Sequence, residues 1–224
     1  MKSVLEDSSV VILAKDVNLS ILKPLWLRRN GIFSDEELQG NIVFTPVNVL
    51  IPTGNWEFTA LPDRLQLRFP SEHVGTHIDV SRTLGRIVKI LPHIPYLAVG
   101  LNFDYLFGPD SQDSFPRWNQ GLFKCPCSTP MPLSEGVDPR FGAYVSFNTL
   151  GMRLKADIKP IKAPNAPGSV STSWPPGEDL MRAKLNFHSD VASAEAPAVM
   201  VLAALNKWEE ASGLAKEIVT QIHN

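Results

Sequence analysis

Cysteine is scarce in this sequence, with two residues, Cys125 and Cys127. A disulfide scaffold needs more cysteines at wider spacing. A zinc site of the common kind pairs C-x₂₋₄-C with a second pair of ligands. The spacing here is C-x-C with no histidine or third cysteine nearby, so the pair reads as two free thiols in a loop. Long apolar runs are also missing. The longest, Ala196 to Leu205, is interrupted by Pro197 and falls well short of the roughly 20 residues that cross a bilayer. Glu6 and Asp7 come too early for the apolar core of a secretory signal. These absences give the expectation of a cytoplasmic protein that does not engage a membrane. Net charge is small, −2 with a pI near 6.2, so the overall basic excess of a nucleic-acid coat protein is lacking and nucleic acid is not the expected partner. Glycine-rich phosphate loops and the G-x-S-x-G elbow are absent, and no cofactor is expected.

What is present is an ordinary globular composition, 44% hydrophobic and 20% charged. The 224 residues allow one large domain or two small ones. Val10 to Ala14 suits a buried strand, and Asn18 or Ser20 can cap a helix carrying Leu22, Leu25 and Trp26, with Pro24 in its first turn. Ser34 followed by Glu37 is a capping box. Val47, Val49 and Ile51, then Trp56, Phe58 and Ala60, then Leu65, Leu67 and Phe69 alternate with polar residues, which predicts a β-meander with one solvated face. A helix is predicted from Pro70 to Leu91, with Val74, Ile78, Leu84 and Val88 on one side. Tyr96 to Phe107 reads as a largely buried strand.

The stretch 108–140 has no clean periodicity and is rich in Pro, Ser and Asp. It divides the expected organisation into residues 1–107, an irregular region 108–140, and residues 141–224. In the last part Phe141, Ala143, Val145 and Phe147 alternate with Gly142, Tyr144 and Ser146. Met152, Leu154, Ala156 and Ile158 alternate with Arg153, Lys155, Asp157 and Lys159, and Met181, Ala183, Leu185 and Phe187 with Arg182, Lys184, Asn186 and His188. One long helix with an apolar stripe from Val201 to Ile222 closes the chain, and Gly213 is the expected place for a kink. The segments Gly100-Leu101-Asn102-Phe103-Asp104 and Lys184-Leu185-Asn186-Phe187-His188 are alike. Together these readings predict an α+β fold: two layers of antiparallel, possibly mixed, sheet, each packed on helices, in split β-α-β-like halves.

Three constellations could carry chemistry. His73 and His77 stand four apart with Asp79 close by. Histidines at i and i+4 of a helix can grip one metal ion, which would make the chain a metal-assisted hydrolase, but Val74 stands where the H-E-x-x-H pattern has its glutamate base. Asp63 or Asp110 with Asp157 and Lys159 could form a magnesium-holding set. The third is a basic strand face, expected to bind an anion or a partner: Arg153, Lys155, Lys159, Arg182 and Lys184, with Arg64 and Arg68 in the first half. Residues 140–147, Arg-Phe-Gly-Ala-Tyr-Val-Ser-Phe, resemble the strand pattern of the RNA-recognition motif over eight positions, with the glycine and aromatic positions exchanged. That resemblance would imply base stacking on the sheet. With no catalytic motif of high specificity, the leading expectation is a binding or assembly protein that works through its sheet faces and long loops, as a homo-oligomer or a subunit of a larger complex.

Overall fold

A computed structural model describes residues 2–70, 75–122, 140–163 and 174–222. Nine strands form one antiparallel sheet in the order β2-β3-β4-β5-β1-β6-β9-β8-β7. The strands are β1 (Lys2–Ala14), β2 (Val43–Phe44), β3 (Val49–Pro52), β4 (Glu57–Leu61), β5 (Arg64–Pro70), β6 (Tyr96–Gly108), β7 (Ala143–Thr149), β8 (Met152–Lys162) and β9 (Asp179–Asp190). Among the described residues the helices are α1 (Pro24–Arg29), α2 (His77–Val80), α3 (Arg86–Ile90), α4 (Phe115–Leu122), α5 (Pro197–Leu205) and α6 (Trp208–Ile222). A π-helical turn, Ser81–Gly85, joins α2 to α3. Mixed α and β content agrees with the sequence reading. The two expected sheet layers are instead one sheet, because β1 and β6 pair along their length in the middle of it. A strand's periodicity sets which face is apolar but not which strand lies beside it.

The chain order repeats. β1 leads through α1 to the meander β2–β5, whose last strand pairs with β1. β6 leads through α4 to the meander β7–β9, whose last strand pairs with β6. Each meander is followed by helices. The likeness between residues 100–104 and 184–188 does not follow this repeat. It joins β6 to β9, which lie side by side with Leu101 opposite Phe187 and Asn102 opposite Asn186.

One continuous core lies between the sheet and the helices. Alternation supplies it from the strands: Val10 and Ile12, Leu65 and Leu67, Leu101 and Phe103, Leu154 and Ala156, Leu185 and Phe187 are all buried. Val80, Leu84, Ile87, Val201, Ala211 and Ala215 answer them from the helices. Trp208 is fully buried, its ring 4.8 Å from Phe103 and 5.6 Å from Phe69, so it touches a strand from each half. Its indole N–H donates to the Gly75 carbonyl. A side chain at position 75 would run into the Phe69 ring, which is why only glycine brings its carbonyl this close.

Local readings fared unevenly. The Ser34–Glu37 box forms, with Ser34 N–H donating to Glu37 at 2.8 Å and Glu37 N–H to Ser34 Oγ at 3.2 Å. The helix predicted to begin at Pro70 enters at His77, capped by Thr76; residues 71–74 lie outside the described set. The closing helix breaks at Asn206-Lys207 rather than at Gly213, where Lys207 N–H bonds to Ala204 O at 3.0 Å, one residue short of the helical reach. Gly213 sits inside α6 with open space around it.

Two stability measurements follow. Trp208→Ala removes the ring that joins the halves and should cost about 3–5 kcal/mol in urea unfolding. Gly213→Ala should stabilise the protein by about 0.5–1 kcal/mol, because the helix continues there and nothing obstructs a methyl group.

Candidate functional site

The face of the sheet turned away from the core carries the residues expected from alternation. On β8 and β9, Arg153 stands opposite His188, Lys155 opposite Asn186, Asp157 opposite Lys184 and Lys159 opposite Arg182. Met152, Leu154, Ala156 and Ile158, and Met181, Ala183, Leu185 and Phe187, all point into the core. The five cations of the sequence reading therefore share one face of two adjacent strands. β6 continues the rows with Asn102 beside Asn186 and Asp104 beside Lys184. β1 extends them with Ser9 beside Asn102 and Asp7 beside Asp104.

A β-bulge in β1 decides the charge of this face. Leu5 pairs with Tyr105 and Asp7 with Asp104, leaving Glu6 as the extra residue. Unbroken alternation from Leu5 would aim Asp7 into the core. The bulge puts Glu6 and Asp7 together on the polar face, next to Asp104. These acids take up part of the basic set. Arg182 grips Asp104 with Nε at 2.8 Å and Nη2 at 2.5 Å, and Glu6 lies 3.3 Å from the same guanidinium. Arg68 binds Asp7 at 3.0 Å and Lys159 binds Asp157 at 2.8 Å. Burial pushes Glu6 above the usual carboxylate range, Arg182 pulls against it, and Asp104 and Asp7 add repulsion. Asp7 is raised by burial, with Arg68 opposing. The hydrogen bond to Asp104 holds Arg182 more firmly protonated than usual.

The remaining cations are neutralised less fully. Arg153 donates to neutral groups, Ser146 Oγ at 2.7 Å and Asn148 Oδ1 at 3.3 Å. Lys184 comes no closer than 3.9 Å to Asp104. Lys155 forms no ion pair among the described residues, and its charge acts on His188. Burial lowers the His188 pKa, Lys155 lowers it further, and Asp190 opposes. On the far side of His188 stands Gly100, where a Cβ would lie 3.0 Å from Asn186 Nδ2. Asn186 donates to Asn102 Oδ1 at 2.5 Å, and Asn102 reaches Ser9 Oγ at 3.4 Å. Asp7, Ser9, Asn102, Asp104, Lys184 and Asn186 help line a concavity of about 350 Å³ on this face.

Of the histidine cluster, His77 and Asp79 are described, and each has a partner close by in sequence. The Asp79 carboxylate accepts from Thr76 N–H at 3.1 Å and Thr76 Oγ1 at 2.8 Å as a helix cap. His77 Nε2 lies 3.1 Å from Ser81 Oγ. His73, Cys125 and Cys127 lie outside the described residues. Asp157 and Lys159 pair with each other, and Asp63 pairs with Arg64 in the other half of the sheet. No group of three His, Cys, Asp or Glu among the described residues is placed to hold a metal ion. A larger concavity, about 670 Å³, opens beside Phe44, Pro46 and Pro62. Among its polar groups, Asn18 Oδ1 is spent on Ser20 N–H and Oγ–H. Sequence reasoning missed Glu6, Asp7 and Asp104 as parts of the sheet face. The available signal was a parity switch in β1, apolar at Leu5 and then at Val10, Ile12 and Ala14. Comparison with protein-family models, curated proteins and solved structures finds no match. No helix among the described residues is long and apolar enough to cross a membrane.

The lowered His188 pKa has a definite sign. The fold favours neutral His188, so this contribution to stability is complete above the ordinary value of 6.5 and is lost as pH falls through the folded pKa. His188→Gln should flatten the unfolding free energy between mildly acidic and neutral pH. Its folded pKa, read by NMR titration, should lie below 6.5 and rise in Lys155→Met. An unshifted His188 would contradict this account.

Proposed function

We propose that this protein is a non-enzymatic binding protein, and that the cationic end of its open sheet face receives an acidic surface of a partner protein. The observation that carries the reading is the uneven neutralisation of that face. Arg182 and Lys159 are held by their own acids, while Arg153 and Lys155 beside His188 keep charge to offer, and Lys184 meets an Asp104 already gripped by Arg182 only at 3.9 Å. Cations this close repel one another, and an anionic partner relieves the repulsion. Asn186 and Asn102 add hydrogen-bonding groups in the adjoining row.

A nucleic acid is the less suitable anion. Platforms for single strands stack bases on aromatic rings. The outward positions of β1, β6, β9 and β8 around the cations are Asp7, Ser9, Val11, Leu13, Ala98, Gly100, Asn102 and Asp104, then Arg182 to Asp190 and Arg153 to Lys159 at alternate places, and none is Phe, Tyr or Trp; at the far end Val4, Leu106, Ile161 and Leu180 are packed with the buried Trp174. Among the described residues, Tyr144 on the outermost strand is the exposed ring on this side. Of the stretch that resembles the RNA-recognition strand, Phe147 turns to the opposite side, opposite Leu154.

Poly-L-glutamate serves as the probe. The unaltered protein should bind it with an affinity that falls as salt rises. Changing Arg153, Lys155 and Lys184 together to glutamate should weaken binding at least tenfold while the circular dichroism spectrum is kept. Tighter binding to an RNA oligonucleotide than to polyglutamate at physiological salt would replace this reading with the nucleic-acid one.

A further inference from the structure

The geometry points to a second copy of this chain as the partner of β7, the two chains joining edge to edge into one continuous sheet. The inference is independent of the acidic-partner reading, since it concerns the sheet's edge and not its face.

Exposed edge strands are normally blunted by charge, proline, a bulge or shortness. The opposite edge of this sheet, β2, has two residues and is followed within two positions by Pro46. β7 has seven residues, Ala-Tyr-Val-Ser-Phe-Asn-Thr, with no charge, no proline and no bulge in its pairing with β8. Tyr144 is 66% exposed, Val145 45% and Phe147 42%. Val145 and Phe147 belong to the core side by parity, yet they stay open. The repeat in the chain sharpens the contrast. The strand that corresponds to β7 in the first half is β3, and its outer edge is paired with β2. No described strand covers the outer edge of β7.

Backbone parity then selects a register. β7 and β8 are joined by a two-residue turn, Leu150 and Gly151, both at positive φ. Such a turn closes on the hydrogen-bonded pair Thr149–Met152. Alternation from there directs the backbone groups of Thr149, Phe147, Val145 and Ala143 to β8, and those of Asn148, Ser146 and Tyr144 outward. An antiparallel copy centred on Ser146 places Ser146 against Ser146 and Tyr144 against Asn148, so every outward group meets an outward group. That gives about six hydrogen bonds. The same register sets Val145 against Phe147 of the second copy at the closely spaced, non-hydrogen-bonded positions, covering the exposed apolar side chains. Because the two-fold axis stands perpendicular to the sheet, both cationic faces end on one side. The two β8 strands lie three strand spacings apart, roughly 14 Å.

Sedimentation velocity and light scattering test the pairing. The unaltered protein should form dimers, and Val145→Lys with Phe147→Lys should give folded monomers. The charge-reversed R153E/K155E/K184E protein should remain dimeric, so loss of polyglutamate binding and loss of self-association come apart. Cross-linking reads the register without relying on a destabilising change. In a Cys125→Ser, Cys127→Ser background, Ser146→Cys should form disulfide-linked dimers on mild oxidation. Tyr144→Cys should cross-link to Asn148→Cys when the two proteins are mixed, and neither should do so alone. A monomeric unaltered protein at high concentration, or cross-linking of Tyr144→Cys alone as fast as Ser146→Cys, would overturn the proposal.

Discussion

Everything in this fold hangs on the pairing of β1 with β6. Each strand has thirteen residues, and each gives one edge to the other and its second edge to the last strand of its own meander. The pairing turns two short meanders into one sheet wide enough to carry a single core. Trp208 reinforces the seam from the helix side by touching Phe69 and Phe103 at once. A small sheet of three or four strands would leave helices such as α6 with too little apolar surface to bury, because stability rises with the fraction of surface removed from water.

The same seam explains the electrostatics of the open face. Two strands that meet with Asp7 opposite Asp104 would repel if left alone. Arg68 from one flank and Arg182 from the other hold the acids in place, each through its guanidinium. Such pairs contribute little to stability where solvent reaches them. Their effect is on position. They gather the sheet's own acids at its centre and leave the outer strand β8 with positive charge, so one face is polarised across its width while the net charge of the chain stays near zero.

The legible part of this structure was the part governed by local period. Which residues of β8 and β9 face inward could be read directly, because Met152 to Ile158 and Met181 to Phe187 alternate without a break. Strand neighbours could not be read, since alternation is the same whichever strand lies alongside. The site suffered from both limits. Its cations were visible, but the acids that answer them sit on β1 and β6, far away in sequence. Glu6 and Asp7 reach the face only through a bulge, which shows in the sequence as a change of parity between Leu5 and Val10. α4 was hidden in an irregular-looking stretch because its anchoring is tertiary: Asn119 bonds to both backbone groups of Phe141, and Phe115 is buried in the main core. The break at Lys207 is likewise set from outside the helix, where Nζ donates to the Leu150 carbonyl at 2.5 Å in the β7–β8 turn.

The seam also has a consequence for how the chain reaches its fold. Ser9 and Asn102, which touch across it, are 93 residues apart in sequence, and Asn102 and Asn186 are 84 apart. Contacts of such separation carry a large loop-closure cost and slow folding. During synthesis β1 leaves the ribosome before the other described strands of the sheet, and β5 is made in time to cover one of its edges before β6 appears. The other edge must wait until β6 has been made, and β6 in turn waits for β9, whose Asn186 follows Asn102 by 84 residues. β1 therefore stays half-paired from the synthesis of β5 until that of β6, and β6 then keeps an open edge until β9 is made.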